Sequence, residues 1–196
     1  MTATQDHDVV ELLKGQHNRI KSLFSEIERS QGGAKQRPFE ELVRLLSVHE
    51  SAEEQVVHPL ARRATAPGVV DQRLQEEHKA KEALAELVRL GVEHPDFDRR
   101  IASFAEEVSR HAAKEEATEF AQIEVEYSLE ERRKLAQAVR VAEEVAPTRP
   151  HPHAGEGPAE NAVAGPALAV VDRVRDAARA AVQKEDDEPG SGSEPR

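Results

Sequence analysis

The chain has 196 residues, a net charge of −11 from 27 basic and 38 acidic side chains, and no cysteine. Its length suits one domain with an appendage, and an aromatic content of 3% favours Ala/Glu/Leu/Arg-rich helices over a β-sandwich or barrel. The acidic charge argues against a protein that binds nucleic acids or anionic membranes. The lack of cysteine excludes disulfides, iron–sulfur clusters and thiolate zinc sites.

The amino-terminal segment is not expected to be a signal peptide. It reads MTATQDHDVVELLKGQH, is acidic, and lacks the basic n-region and the apolar h-region of a signal peptide. No apolar run in the sequence approaches the roughly 18 residues of a membrane span. We therefore expect a soluble, cytoplasmic protein.

Four long amphipathic helices are predicted in succession, at about 6–29, 38–63, 69–90 and from 96 onwards. In each of them, apolar or histidine side chains recur at alternating steps of three and four residues. The face of the third helix that is predicted to point inward carries Leu74, His78, Lys81, Ala85 and Val88. Gly91 is the expected C-cap of this helix. Four such helices joined by short loops predict an all-α fold, an up-down-up-down four-helix bundle.

A shorter fifth helix is predicted to begin at Ser128, because Ser128 and Glu131 form an S-x-x-E capping box. The bundle is predicted to occupy residues 1–146. Beyond it we predict a Pro/Gly-rich linker at 147–166, an amphipathic helix at 167–184 and a disordered acidic tail at 185–196. The helix at 167–184 is the candidate surface for self-association or for a protein partner.

The third and fourth helices repeat the polar pattern of the first and second. Each half has a histidine on its first helix and an H-x-x-x-E motif on its second. The first half contributes His17, His49 and Glu53, and the second half contributes His78, His111 and Glu115. An offset of 61 residues aligns the first histidines, and an offset of 62 aligns the two motifs.

This repeat predicts a metal centre inside the bundle. At about 1.5 Å per residue, His17 and His49 reach nearly the same height, so we expect the four histidines in one layer. Two ionised carboxylates buried there would be costly unless cations neutralise them. Four imidazoles and two carboxylates without sulfur suit a pair of iron or manganese ions, with zinc possible. The alternative is a structural bundle with a metal-free network of histidine–glutamate hydrogen bonds.

These motifs resemble those of the hemerythrin-like HHE cation-binding family, over about residues 6–145. The resemblance implies a four-helix bundle with an oxo- or hydroxo-bridged di-iron centre that binds dioxygen, peroxide or nitric oxide. Oxygen-carrying members have a second histidine one turn after the third-helix histidine, where this sequence has Glu82. Glu82 is therefore an additional candidate ligand, and Glu50, beside His49, is another. More carboxylate on the iron favours oxidation chemistry over reversible oxygen carriage.

Other polar residues are expected to contribute less. His58 lies nine residues after His49 and would point about 180° away from it on a regular helix, so we expect a packing or surface role. Glu54 and Glu116 lie about 140° from the motif histidines. We expect them to be exposed, and the alternative is a hydrogen bond to a neighbouring ligand. A ferritin-like di-iron site needs Glu-x-x-His motifs, and no histidine here has a glutamate three residues before it.

The predicted function is reaction with hydrogen peroxide, dioxygen or nitric oxide at a non-haem di-iron centre of four histidines and two glutamates, in oxidative or nitrosative stress. A catalase- or peroxidase-like activity follows from this hypothesis. The alternative is a module that senses or stores dioxygen, nitric oxide or iron and signals through the carboxy-terminal tail without turnover. Under both hypotheses the expected partners are small oxidants or diatomic ligands, and not nucleic acid or membrane.

Overall fold

The structure, a computed structural model, describes residues 7–146 and 148–150, and the regular elements in these ranges are helical. Residue 147 and residues 151–196 lie outside the described residues. The amphipathic helix predicted at 167–184, the tail predicted at 185–196 and most of the linker predicted at 147–166 therefore lie outside them too. Among the described helices, none is long and apolar enough to cross a membrane.

The helices follow the predicted antiparallel order. In chain order they are α1 (Val9–Arg29), a 3₁₀ turn (Gly32–Lys35), α2 (Gln36–Ala52), a π-helical turn (Glu53–Val57), α3 (His58–Ala64), α4 (Val69–Leu90), α5 (Phe97–Ala117), α6 (Glu119–Glu126) and α7 (Leu129–Val145). Helix α1 packs against α2, α5 and α7, and α4 packs against α5. Helices α2 and α3 form the second arm of the bundle, and α5 and α6 form the fourth. The prediction of an all-α bundle with a further, fifth helix is confirmed.

Local sequence sets several of the helix ends. The Asp8 carboxylate accepts hydrogen bonds from two backbone N–H groups in the first turn of α1, which caps that helix. Ser128 and Glu131 form the predicted capping box of α7. Helix α4 ends at Gly91, as predicted, and the φ of 79° at this residue is one that glycine tolerates best.

Two apolar clusters fill the interior, with a polar layer between them. One joins α1, α6 and α7 and includes Leu13 and Phe120. The other joins α1, α2, α4 and α5 and includes Ile20 and Phe104. His17 lies between Leu13 and Ile20 on the buried face of α1. Apolar packing on both sides therefore shields the polar layer from water.

The buried face of α4 differs from the predicted one. It carries Val70, Arg73, Glu77, Leu84 and Leu87. This face is rotated from the predicted one by one residue, about 100°, and Val88 of the predicted face is 41% exposed. The predicted face of α4 was wrong because charged residues lie in the middle of the face that is buried. They are buried with charged partners: Arg73 Nε lies 3.1 Å from Glu119 Oε1, and Glu77 is bonded to His58.

Both H-x-x-x-E motifs are followed by an interruption of the helix, although each arm was predicted as continuous. The second arm enters a π-helical turn at Glu53, and the fourth arm breaks at Thr118, with φ and ψ of −118° and −70°. Pro59 accounts for the first interruption. In a regular α-helix its ring, which lacks an N–H, would clash with the carbonyl of Gln55, a residue of the π turn. A π turn takes up one extra residue and so rotates the following residues by about 100°.

Candidate metal centre

Four buried side chains converge in the polar layer. His17 Nε2 lies 3.1 Å from His49 Nε2 and 3.5 Å from Glu115 Oε2. His49 Nε2 in turn lies 3.4 Å from Glu53 Oε2. One potential ligand atom from each of these four residues lies within 4.8 Å of the other three. These four residues form the first cluster.

A second cluster shares Glu115 with the first. It consists of His58, Glu77 and Glu115, whose ligand atoms also lie within 4.8 Å of one another. His58 Nε2 lies 2.5 Å from Glu77 Oε1. His111 approaches from α5, with its Nε2 3.1 Å from Glu115 Oε1 and 3.9 Å from Glu77 Oε1. Glu115 therefore presents Oε2 to His17 and Oε1 to His111, the arrangement of a carboxylate that bridges two sites.

Hydrogen bonds on the outer side of the rings orient three of the histidines. The outer nitrogen of each ring is Nδ1. It lies 2.8 Å from Glu116 Oε1 in His17, 2.7 Å from Gln16 Oε1 in His49, and 3.2 Å from Glu76 Oε2 in His111. A carboxylate or amide oxygen can only accept, so each Nδ1 carries the hydrogen. The Nε2 lone pairs of His17 and His49 therefore point inward. Contrary to the prediction of exposure, Glu116 is only half-exposed, because it contacts His17.

The centre of the site contains more acceptors than donors. Buried oxygens of Glu53, Glu77 and Glu115 have no hydrogen-bond partner among the described residues. The Nε2 lone pairs of His17 and His49 face each other at 3.1 Å. Buried acceptors without donors cost free energy, and opposed lone pairs repel. A positive ion between these atoms removes both penalties, so the donor set fits a cation.

Burial and mutual charge shift the pKa values of these groups in different directions. Burial, followed by the charge of Glu115, raises the pKa of Glu53 well above its ordinary value. Burial and the nearby His17 lower the pKa of His49 to about 3. Burial opposes protonation of His111, but its hydrogen bond to Glu115 raises its pKa to about 9. Without a cation, protonated His111 thus balances the charge of Glu115, and burial favours the neutral form of Glu53.

A cavity of about 260 Å³ opens beside the first cluster. Its apolar wall is formed by Ile20, Leu46, Ala80, Val108 and Ala112. Its polar wall includes the imidazoles of His17, His49 and His111, together with Glu50. This volume lies just below the range of pockets that hold drug-sized ligands, so the cavity suits a smaller molecule.

The structure brings most of the predicted ligands together but leaves His78 outside. The residues that meet in the polar layer are His17, His49, Glu53, His111 and Glu115. The side chain of His78 is 39% exposed and lies 3.6 Å from that of Glu82, which is 54% exposed. Glu77 occupies the place expected for His78, because the burial pattern of α4 follows that of α1 at an offset of 60 rather than 61 residues. Glu50 is buried and lines the cavity.

The expectation that His58 points away from His49 is wrong. The π turn lies between the two residues, so their separation around the helix falls from about 180° to about 80°. Pro59 was the available sequence signal, since proline inside a predicted helix marks an irregular turn. The buried pair of Arg73 and Glu119 was also missed, and no local pattern in the sequence indicates it.

The fold and these clusters define a class of protein, a helical bundle with interior histidine–glutamate clusters that fit a cation. The sequence profile of the hemerythrin HHE cation binding domain matches residues 8–123, and the chain belongs to that family. Helix α7 lies beyond the matched residues.

Two individual proteins show more distant likeness. The fold is similar to that of a hemerythrin HHE cation binding domain-containing protein from Mycobacterium kansasii, with a TM-score of 0.63 and 23% identity. That similarity covers 70% of this chain and 86% of the other. A DNA nickase from Nostoc sp. is 28% identical over 139 residues, which are 70% of this chain. The matched region spans 40% of the nickase's length.

Proposed function

We propose that this protein holds two iron ions in the paired clusters and reacts with a small oxidant: hydrogen peroxide, dioxygen or nitric oxide. The observation that carries the proposal is the position of Glu115, whose two oxygens face different histidines. A carboxylate shared by two ligand groups is suited to holding two cations close together. Pairs of histidines with carboxylates are typical of non-haem iron sites, and no thiolate is available to favour zinc.

The proposed ligands divide between the two clusters. His17, His49 and Glu53 would hold the first ion, His58, His111 and Glu77 would hold the second, and the two groups would share Glu115. This assignment differs from the sequence prediction at two positions, because Glu77 replaces His78 and His58 is added. The set contains three carboxylates, and carboxylate ligands stabilise an oxidised metal ion, which favours redox reaction over reversible carriage.

The surrounding residues support a reaction with a small molecule. Bound iron would supply and accept the electrons, and for peroxide the overall reaction, 2 H₂O₂ → 2 H₂O + O₂, needs no other reductant. The cavity beside His17 and His49 gives such a molecule access, and its apolar wall limits water. The hydrogen bonds on the outer side of the rings keep the imidazoles in position before the ions bind.

The test begins with the metal content of protein purified without chelator. We expect about two iron ions per chain, and oxygen evolution on addition of peroxide faster than from the same concentration of free iron. His111→Ala should lose the second ion and the activity, whereas Lys79→Ala, at the surface of the cavity, should keep both.

The outcomes separate the alternatives. Iron binding with a spectral response to nitric oxide or dioxygen, but no turnover of peroxide, would favour the sensing or storage hypothesis. Bound manganese or zinc would retain the two-ion site and overturn the assignment of iron. Absence of bound metal after reconstitution with ferrous iron would overturn the whole proposal.

DNA nicking, the activity in the name of the Nostoc relative, is not proposed for this chain. Proteins bind the DNA backbone by neutralising phosphates with lysine and arginine, and this chain has 11 more acidic than basic residues. We expect the iron-loaded protein to leave supercoiled plasmid intact when catalase is present to remove peroxide. Conversion to nicked circles that is absent in His111→Ala would contradict this expectation.

A further inference from the structure

A chain of two hydrogen bonds connects α7 to the first cluster. His49 Nδ1 lies 2.7 Å from Gln16 Oε1, and Gln16 Nε2 donates to Glu143 Oε1. Gln16 belongs to α1, and Glu143 lies near the end of α7, outside the residues that match the family profile. Both side chains are half-buried, so these bonds are partly protected from competition by water.

The histidines of the site differ in what fixes their outer nitrogen. His17 and His111 each face a carboxylate directly, through Glu116 and Glu76. A carboxylate can only accept, so it selects the tautomer with the hydrogen on Nδ1 by itself. His49 faces an amide, and an amide can turn over to present its NH₂ group instead of its oxygen. The amide alone therefore does not determine the tautomer of His49. A third group must fix the orientation of the amide.

We propose that Glu143 is a positioning residue that sets the tautomer of His49 through Gln16. The Glu143 carboxylate accepts only, so the amide must turn its NH₂ toward Glu143 and its oxygen toward His49. The oxygen then requires the hydrogen on His49 Nδ1, which leaves the Nε2 lone pair directed at His17 and Glu53. The tertiary contact between α7 and α1 thereby prepares a ligand atom of the site.

The proposal rests on the proposed function only for the effect on metal affinity, because the tautomer itself is measurable in the metal-free protein. Failure of the proposed metal binding can thus be distinguished from failure of the proposed role of Glu143. A chain that binds no iron but shows the expected tautomer would retain the role of Glu143 and overturn only the metal assignment.

The primary experiment measures the imidazole nitrogens of His49 by long-range ¹H–¹⁵N correlation in full-length, chelator-treated protein at pH 8. We expect the hydrogen on Nδ1 in the native protein. Glu143→Gln keeps the size of the side chain but can donate as well as accept, so a second population with the hydrogen on Nε2 should appear. Glu144→Gln, on the exposed neighbouring position, is the matched control and should leave the spectrum unchanged.

An exchange of the two side chains distinguishes positioning from packing. The double variant Gln16→Glu with Glu143→Gln places the carboxylate directly against His49 and an amide donor on α7. It should restore the hydrogen to Nδ1, although both contacting residues have changed.

Iron affinity provides the second readout. Loss of a group that orients a metal ligand through hydrogen bonds typically weakens metal binding by about 10–100-fold. We therefore expect ferrous binding to be about 10-fold weaker in Glu143→Gln and to recover in the double variant. An unchanged His49 tautomer in Glu143→Gln would overturn the proposal, as would a tautomer that changes but is not restored by the exchange.

Discussion

Glu115 and His58 show how single side chains divide the polar layer into two ligand groups. Glu115 Oε1 lies 3.1 Å from His111, and Oε2 lies 3.5 Å from His17. His58 lies in the second cluster with Glu115 and is hydrogen-bonded to Glu77. Its burial and the orphaned oxygens around it make it the strongest candidate for the second ion, whereas His78, in the repeat, is partly exposed.

We predict opposite effects on the bound iron when His58 and His78 are replaced by alanine. His58→Ala should reduce bound iron from about two ions to about one, because the second cluster loses an imidazole. His78→Ala should leave the iron content unchanged, since its side chain lies outside both clusters. Metal analysis of both variants after identical reconstitution provides the measurement. Loss of iron in His78→Ala with retention in His58→Ala would restore the ligand set predicted from the repeat.

At the scale of elements, the π turn decides which side chains of the second arm face the centre. It spans Glu53–Val57, and it allows Glu53 and His58 both to point inward although they are five positions apart in the chain. Short π segments inside α-helices are frequently found at functional sites. Pro59 favours this geometry because a regular helix would bring its ring against the Gln55 carbonyl.

The role of Pro59 is testable by Pro59→Ala. This substitution restores an N–H and removes the steric reason for the π turn, so the regular α-helix becomes more favourable. We expect His58 to rotate away from Glu77 and bound iron to fall toward about one ion per chain. Retention of the full iron content and of the His58–Glu77 contact, by metal analysis and NMR, would show that tertiary packing alone maintains the turn.

Helix α7 is part of the folded core and not an accessory. Leu135 and Val139 are fully buried in the apolar cluster that includes Leu13 and Phe120. Arg132 of α7 also lies 3.3 Å from Asp8, the residue that caps α1. The matched domain at residues 8–123 would therefore leave one apolar face of α1 and of the second arm exposed without α7.

We expect Leu135→Ala to lower the free energy of unfolding by about 2–4 kcal/mol, since it removes buried methyl groups and leaves a cavity. Leu129→Ala, on the same helix but 47% exposed, should change it by less than about 0.5 kcal/mol. Urea unfolding followed by circular dichroism measures both. Equal effects of the two substitutions would mean that α7 is not packed in solution.

For the whole molecule, the buried polar layer makes folding depend on pH and on metal. The pKa of His111 is about 9 against an ordinary 6.5, so its stabilising contribution is complete below pH 6.5 and is lost as the pH rises through 9. Burial, followed by the charge of Glu77, raises the pKa of Glu50 to about 8 from an ordinary 4.5. Glu50 is therefore neutral when folded but ionises on unfolding, which also lowers stability as the pH rises from 4.5 to 8.

The metal-free protein should consequently unfold more easily at pH 8 than at pH 6.5. Thermal unfolding in the presence of a chelator measures this difference. Glu50→Gln should reduce it, because the amide does not titrate, whereas Glu28→Gln at an exposed position should not. Iron should stabilise the protein most at the higher pH, since its ligands must be deprotonated to bind it. A metal-free protein that is more stable at pH 8 would contradict these assignments.

The sequence alone determined the helices and much of the polar layer. Spacing of three and four residues predicted the antiparallel bundle, and local capping signals located Ser128 and Gly91 at helix ends. The repeated H-x-x-x-E motif identified the glutamates Glu53 and Glu115, which the structure buries beside histidines. These features are visible in sequence because they depend on residues close together in the chain or on one helix face.

Only the tertiary structure decided the face of α4, the partner of His58 and the link from Glu143 to His49. Apolar periodicity assigns charged residues to the surface, so it could not show that Glu77 is buried against His58 or Arg73 against Glu119. Partners far apart in the chain satisfy these charges, and their pairing exists only after the helices pack. The decisive contacts are thus long-range electrostatic ones, which a local pattern does not contain.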